Sequence, residues 1–216
     1  MSDISFLKQT KSVHVIGAGL NPDRPAHKAF IDMKGRGYRM VPVHPRDAGS
    51  TIQGVPILPH PWASKDPELF VIFLSPERTL GLLRKWLIAN RNAPFIWLQP
   101  GAESDDVLEF LSEAEIPHSH GKCWVVTCIQ NDISCEDPLP QLPWVLQTSS
   151  TDGDLCSVWR YFPPGTDLEL DEPLEWVGDL MDLRSSDERI PRYVRSLCQD
   201  DESLAETAQR LAIPPN

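Results

Sequence analysis

Apolar and polar positions over the first 133 residues follow two alternating rhythms. Residues 13–16 (VHVI) form an unbroken run, as expected of a strand covered on both faces. Residues 26–36 carry a helical pattern that stops at Gly35 and Gly37, residues suited to a helix C-terminus. Residues 38–43 read as a second strand, with Pro42 marking its end. Residues 55–58 form a short edge piece, and residues 69–74 (LFVIFL) a deeply buried strand. Pro76 sits where a helix would start, and Leu80, Leu83 and Leu87 continue at helical spacing to Ala89. Residues 95–98 are the next strand. Ser104 can cap a helix running to Glu115, with Val107, Leu108 and Leu111 on one face. Residues 124–129 (WVVTCI) are a last apolar run. Strand and helix in alternation predict an α/β fold, a Rossmann-like doubly wound parallel sheet over residues 1–133.

The pattern changes after residue 133. Pro138, Pro140 and Pro143 predict an irregular connector. Residues 157–162 (SVWRYF) read as a strand, and residues 190–198 and 202–211 as helices. Trp144, Trp159 and Trp176 argue for order, since disordered tails are poor in aromatics. The expectation is a C-terminal extension, 134–216, ordered and packed on the first domain.

Charge sharpens this division. Fourteen acids balance fourteen lysines and arginines in residues 1–133, while seventeen acids face six arginines in 134–216. The whole formal charge of −11 therefore sits in the second part. Such an acidic extension should repel nucleic acid and anionic lipid, and offers a surface to a protein partner. The chain has no secretory pattern at its start and no apolar run of membrane-spanning length, so the expected location is cytoplasmic. Cys123, Cys128, Cys135, Cys156 and Cys198 are odd in number and without framework spacing, as free thiols would be. His118, His120 and Cys123 spell H-x-H-x-x-C, but no fourth ligand or second spaced pair accompanies them, so no metal site is assigned.

The chemistry concentrates where the predicted strands end. After the first strand comes Gly17-Ala18-Gly19-Leu20-Asn21-Pro22-Asp23-Arg24 and a helix start. Glycines let a backbone approach a phosphate, and a helix N-terminus supplies free N–H groups. Pro22 stands where the third glycine of the dinucleotide fingerprint G-x-G-x-x-G would be. An NAD site would place an acid at the end of the second strand. Here Pro42-Val43-His44-Pro45-Arg46 stands instead, which suits a ligand with a phosphate on its ribose, CoA or NADP.

Four separated segments carry a resemblance: Gly17 to Pro25, Gly37 to Arg46, Ile96-Trp97-Leu98-Gln99-Pro100-Gly101, and Gly121-Lys122-Cys123. In this order they resemble the CoA-binding domain family, over roughly residues 10–132. The family is similar in turn to the nucleotide-binding domain of the succinyl-CoA synthetase alpha subunit. The resemblance implies coenzyme A or an acyl-CoA as ligand. Gly17, Gly19 and Pro22 would form the pyrophosphate turn, and Arg24 would pair with a phosphate. Pro42, Val43 and His44 would line the adenine slot, with Arg46 at the ribose phosphate and Ser75 and Pro76 across from them. Gln99 would join the site, and Cys123 would lie near the pantetheine thiol. Gly19, His44 and Ala26 stand where the family commonly has a small hydroxyl, an asparagine and a serine. The functional expectation is a binding or regulatory module without catalysis of its own. The alternatives are an NADP-dependent oxidoreductase, a partner-dependent acyl-CoA ligase subunit, or an interaction protein with a vestigial nucleotide site.

Overall fold

The computed structural model describes residues 3–64, 67–89, 92–150 and 156–212. By its own contacts the chain falls into two compact units, residues 1–43 with 66–140, and residues 44–65 with 141–216. These bounds differ from a division after residue 133, because the segment after the second strand clusters with the C-terminal part.

The first unit is an α/β layer structure. Its strands are β1 (Ser12–Ile16), β2 (Arg39–Val43), β5 (Leu69–Ile72), β6 (Phe95–Leu98) and β7 (His118–Ser119). All pair in parallel in the order β2-β1-β5-β6-β7. Its helices are α1 (Asp3–Gln9), α2 (Pro25–Asp32), α3 (Pro76–Ile88), α4 (Asp105–Glu113) and α5 (Trp124–Gln130). Every residue of β1 and β5 is buried, which is why both read as continuous apolar runs. The doubly wound parallel sheet expected from the sequence is therefore present.

Pro42 is the penultimate residue of β2, paired with Val15, near the strand end as expected. β2 is an edge strand, and Arg39 donates its N–H to Lys11 on the β1 side. Alternate residues of β2 thus aim their N–H outward, so Pro42 forfeits no ladder bond. Two local expectations change. The last apolar run is α5, and the fifth strand is the two-residue β7 before it. Helix α2 ends at Asp32, a turn before Gly35 and Gly37.

The second unit has a three-stranded antiparallel sheet, β8 (Trp144–Ser149), β9 (Ser157–Phe162) and β10 (Leu174–Asp179), in the order β10-β8-β9. Helices α6 (Leu180–Ser185), α7 (Arg189–Ser196) and α8 (Leu204–Leu211) follow. Val145, Trp159, Trp176, Leu183, Val194 and Ala208 form its core, and Trp159 donates its indole N–H to the Ala208 carbonyl at 2.9 Å. Its acids have structural tasks. Asp179 and Asp182 close a capping box on α6, and Ser203 with Glu206 closes another on α8. Arg210 holds the Glu202 carboxyl down to about 2, and Arg160 with Thr148 lowers Glu172.

The small hairpin of β3 (Thr51–Ile52) and β4 (Val55–Pro56) belongs to this unit through bonds to residues far along the chain. Thr51 N–H donates to the Leu168 carbonyl, and Leu168 N–H to Thr51 Oγ1, both at 2.9 Å. Asp167 accepts from Gly54 N–H at 2.6 Å. Gly54 has φ +75°, and a Cβ there would stand 2.3 Å from Gly165 Cα. We expect Gly54→Ala to destabilise this unit by about 3 kcal/mol, read as a lowered urea midpoint. An unchanged midpoint would show that the hairpin does not need this close approach.

His14 lies at the centre of β1, fully buried and stacked on Phe70 at 5.6 Å. Neither ring nitrogen has a hydrogen-bond partner among the described residues. Burial, with a smaller push from Arg39, lowers its pKa from 6.5 to about 3. The unfolded chain therefore takes up a proton below pH 6.5 that the folded chain refuses until about pH 3. Stability due to this group is full above pH 6.5 and falls with pH. Between pH 7 and pH 5 we expect His14 to account for a loss of about 2 kcal/mol, absent in His14→Leu. Parallel pH profiles for the two proteins would refute this.

Candidate functional site

The parallel register brings the ends of the central strands to one level. Ile16 pairs with Val43 and Ile72, and Ile72 with Leu98. Gly17, Phe73 and Gln99 therefore form the next row, just past β1, β5 and β6. The backbone ladder reaches this row, since Gly17 N–H donates to Val43, Phe73 N–H to Ile16, and Gln99 N–H to Ile72, at 2.8, 3.0 and 3.1 Å. The chain leaves β1 toward β2 on one side, while β5 and β6 continue on the other. The row thus crosses the topological switch point, where open α/β sheets hold their ligands.

The glycine turn stands over β1. Gly17 has φ +101°, a conformation that by itself calls for glycine. Gly19 is buried and is not among the positive-φ residues, so backbone geometry does not explain it. Pro22 is exposed within a turn that Asn21 shapes, its Oδ1 accepting from Asp23 N–H at 2.9 Å and its carbonyl from Arg24 N–H at 3.2 Å. Arg24 is the N-cap of α2, exposed and without a carboxylate partner among the described residues.

Two helices open onto this edge in the same way. Helix α2 begins with Pro25 and α3 with Pro76, and neither has a side-chain cap. Ser75 is the N-cap of α3, and its hydroxyl makes no cap bond. Helix α2 has no acid in its first turn, whereas α3 has Glu77. Helix α4 is closed to anions, with Ser104 accepting from Val107 N–H and Asp105 and Asp106 in the first turn.

Gln99 carries the most telling unsatisfied group. The residue is 3% exposed, yet Nε2 has no hydrogen-bond partner among the described residues. A buried amide donor left unpaired is costly, and in native proteins such groups usually have an explanation. Its carbonyl accepts from Ala102 N–H at 2.8 Å, which fixes the backbone. Pro42 and Val43 are buried at the end of β2.

Cys123 is a half-buried free thiol at the N-cap of α5. The ammonium of Lys122 is engaged elsewhere, 2.6 Å from an Asp3 oxygen and 5.1 Å from the Trp97 ring centre. Trp97 in turn donates its indole N–H to the Lys122 carbonyl at 2.9 Å. His118 Nδ1 bonds the Ile116 carbonyl, and no three His, Cys, Asp or Glu side chains gather as a metal site among the described residues.

His44 and Arg46 belong to the other unit. There His44 N–H donates to the Leu58 carbonyl at 3.0 Å, and its ring Nδ1 lies 3.1 Å from Asp47 Oδ2. Arg46 is exposed and has no carboxylate partner among the described residues.

One residue of the glycine turn escaped the sequence reading. His27, in the first turn of α2, lies with Nδ1 2.7 Å from the Gly19 carbonyl oxygen. The only signal for it was its place two residues after Pro25.

The parallel sheet with its helices and the switch-point row define a Rossmann-like α/β domain as the class of the first unit. More narrowly, the chain belongs to the CoA binding domain family, whose profile it matches over residues 11–128. It is similar to the uncharacterized protein YneT of Bacillus subtilis (strain 168), 27% identical over 109 residues, half of this chain and 78% of the relative. A solved protein from Thermus thermophilus is 29% identical, with TM-score 0.53 over 58% of this chain and 93% of its own. A hypothetical protein from Pyrococcus horikoshii OT3 shares the fold, with TM-score 0.51 and 18% identity over 60% of this chain and 92% of its own. Among the described residues no helix is long and apolar enough to cross a membrane.

The two glycines should separate in experiment. Gly17→Ala should cost about 1–2 kcal/mol of stability through its backbone alone, seen as a lowered melting temperature without ligand. Gly19→Ala should leave the apo protein closer to wild type and act on ligand affinity instead. Equal loss of apo stability in both variants would contradict this reading.

Proposed function

We propose that the protein binds coenzyme A or an acyl-CoA at the row past β1, β5 and β6, as a binding or regulatory module without catalysis of its own. The observation that carries the reading is the unpartnered, buried amide of Gln99, level with the glycine turn of a CoA-binding family domain. A ligand carbonyl or phosphoryl oxygen would complete it.

The first helix supplies the anion side of the argument. Gly17 and Gly19 let the pyrophosphate approach the backbone, and the N-terminus of α2 presents amide N–H groups with no cap and no competing acid. Arg24, unpaired at that terminus, offers a planar fork to a phosphate oxygen. Pro22 shapes this turn. Pro42 and Val43 offer an apolar wall for the adenine, Ser75 a free hydroxyl, and Pro76 a rigid edge. The assignments of His44 to the adenine and Arg46 to the ribose phosphate rest on the sequence motif alone. Cys123 is assigned to the thiol end of the ligand, where an added two-electron oxidant such as a peroxide would join its thiol to that of free CoA as a mixed disulfide, the two thiol protons leaving with the reduced oxidant. The acidic second part is a surface for a protein partner, and the cytoplasm the place of action.

Calorimetry with CoA, acetyl-CoA, NADP and NAD tests this. We expect CoA or acetyl-CoA to bind in preference to both dinucleotides, with Arg24→Ala weakening it about tenfold, as loss of a charge-assisted hydrogen bond would. Gln99→Leu should weaken CoA while raising apo stability, since it removes an unpaired buried donor. Preferential NADP binding would instead support an oxidoreductase, and no nucleotide binding would leave an interaction protein.

A further inference from the structure

We propose that His27 is a positioning residue that holds the glycine turn in its anion-accepting form, an inference that rests on the CoA reading above. Nδ1 of His27 is 2.7 Å from the Gly19 carbonyl oxygen. A carbonyl oxygen only accepts, so the ring nitrogen carries the proton and donates. His27 is the third residue of α2, and the bond reaches back eight positions to the turn. The loop between is already shaped by Asn21, which accepts from Asp23 and Arg24. His27 closes this loop onto the first turn of the helix.

The consequence is electrostatic. Glycine peptides rotate easily, because no Cβ opposes the change. A free Gly19 carbonyl could swing into the crevice and set its lone pairs against a phosphate. Tied to His27, the oxygen points toward the helix and its negative end is neutralised by a donor. The first turn of α2 also lacks an acid that might hold the ring instead. His27 thus removes an acceptor from the ligand's side of the turn without touching the ligand.

The test compares His27→Phe with His27→Asn, since Asn can place its amide Nδ2 near the position of the ring Nδ1. CoA affinity is measured by calorimetry, and amide hydrogen exchange of residues 17–21 is followed without ligand. We expect His27→Phe to weaken CoA about tenfold and to speed exchange in the turn, with His27→Asn restoring both. Should His27→Phe fail to fold, His27→Ala carries the same comparison. Wild-type affinity in the Phe or Ala variant would overturn the positioning role and leave the CoA reading intact. An Asn variant as weak as Phe would also overturn it, since the donated bond would not be the cause. Absence of CoA binding by the wild-type protein would remove the CoA reading and this inference together.

Discussion

The hydrogen-bond ladder across β2, β1, β5 and β6 is the constraint on which the candidate site depends. It runs one step past the strands, through Gly17, Phe73 and Gln99, and so fixes three turns at one height. None of these turns could be placed by its own residues. Gly17 supplies a left-handed corner, but the corner has meaning only because Val43 and Phe73 flank it. Fully buried strands make the arrangement stiff. Slipping one strand would move apolar side chains out of a core occupied on both faces. The price is a buried His14 in the middle of β1, which the sheet holds uncharged.

The acidic character of the second unit has a different physical content from that of a solvated tail. Asp167 accepts from the β3–β4 hairpin, Asp179 caps α6, Glu172 pairs with Arg160, and Glu202 pairs with Arg210. Glu175 accepts from Gln147, Ser149 and Ser157, which lowers its pKa. Many carboxylates thus replace apolar contacts as the fixings of a small sheet-and-helix body. The cost of such fixings is low here because most stand at the surface, where water shares the charge. Composition alone reports the charge and hides these tasks.

What was legible follows the reach of each signal. Strands β1, β5 and β6 and helices α3 and α4 were visible because buried runs and helix starts are local. Ser104 as a cap is the clearest case, with its bond to Val107 three residues on. Strand β7 was missed because two residues carry no period, and α5 because a short buried helix and a buried strand look alike. The membership of residues 44–65 in the second unit rests on partners more than a hundred residues away, such as Leu168 and Asp167. No window of sequence contains that information. At the site, Gly17, Gly19 and Arg24 could be picked out by motif. Neither the orphaned amide of Gln99 nor the His27 bond could, since both are facts of side-chain surroundings.

The helix termini then decide where along this edge an anion would settle. All of α2, α3 and α4 start at the same side of the sheet, each following a parallel strand. Helix dipoles would favour an anion at each alike. The chain breaks that equality with its side chains. It fills the terminus of α4 with Ser104, Asp105 and Asp106, and sets Glu77 at α3. Of these three, α2 alone lacks both cap and acid; the short α5 after β7 lacks them too, but α2 has an exposed arginine, Arg24, in front. A negative group would therefore be drawn to the one terminus that also has the glycine turn. That agreement between backbone conformation and charge placement is stronger support for a phosphate there than the incomplete glycine motif, because Pro25, Arg24 and the acids of α4 are choices the turn itself does not require.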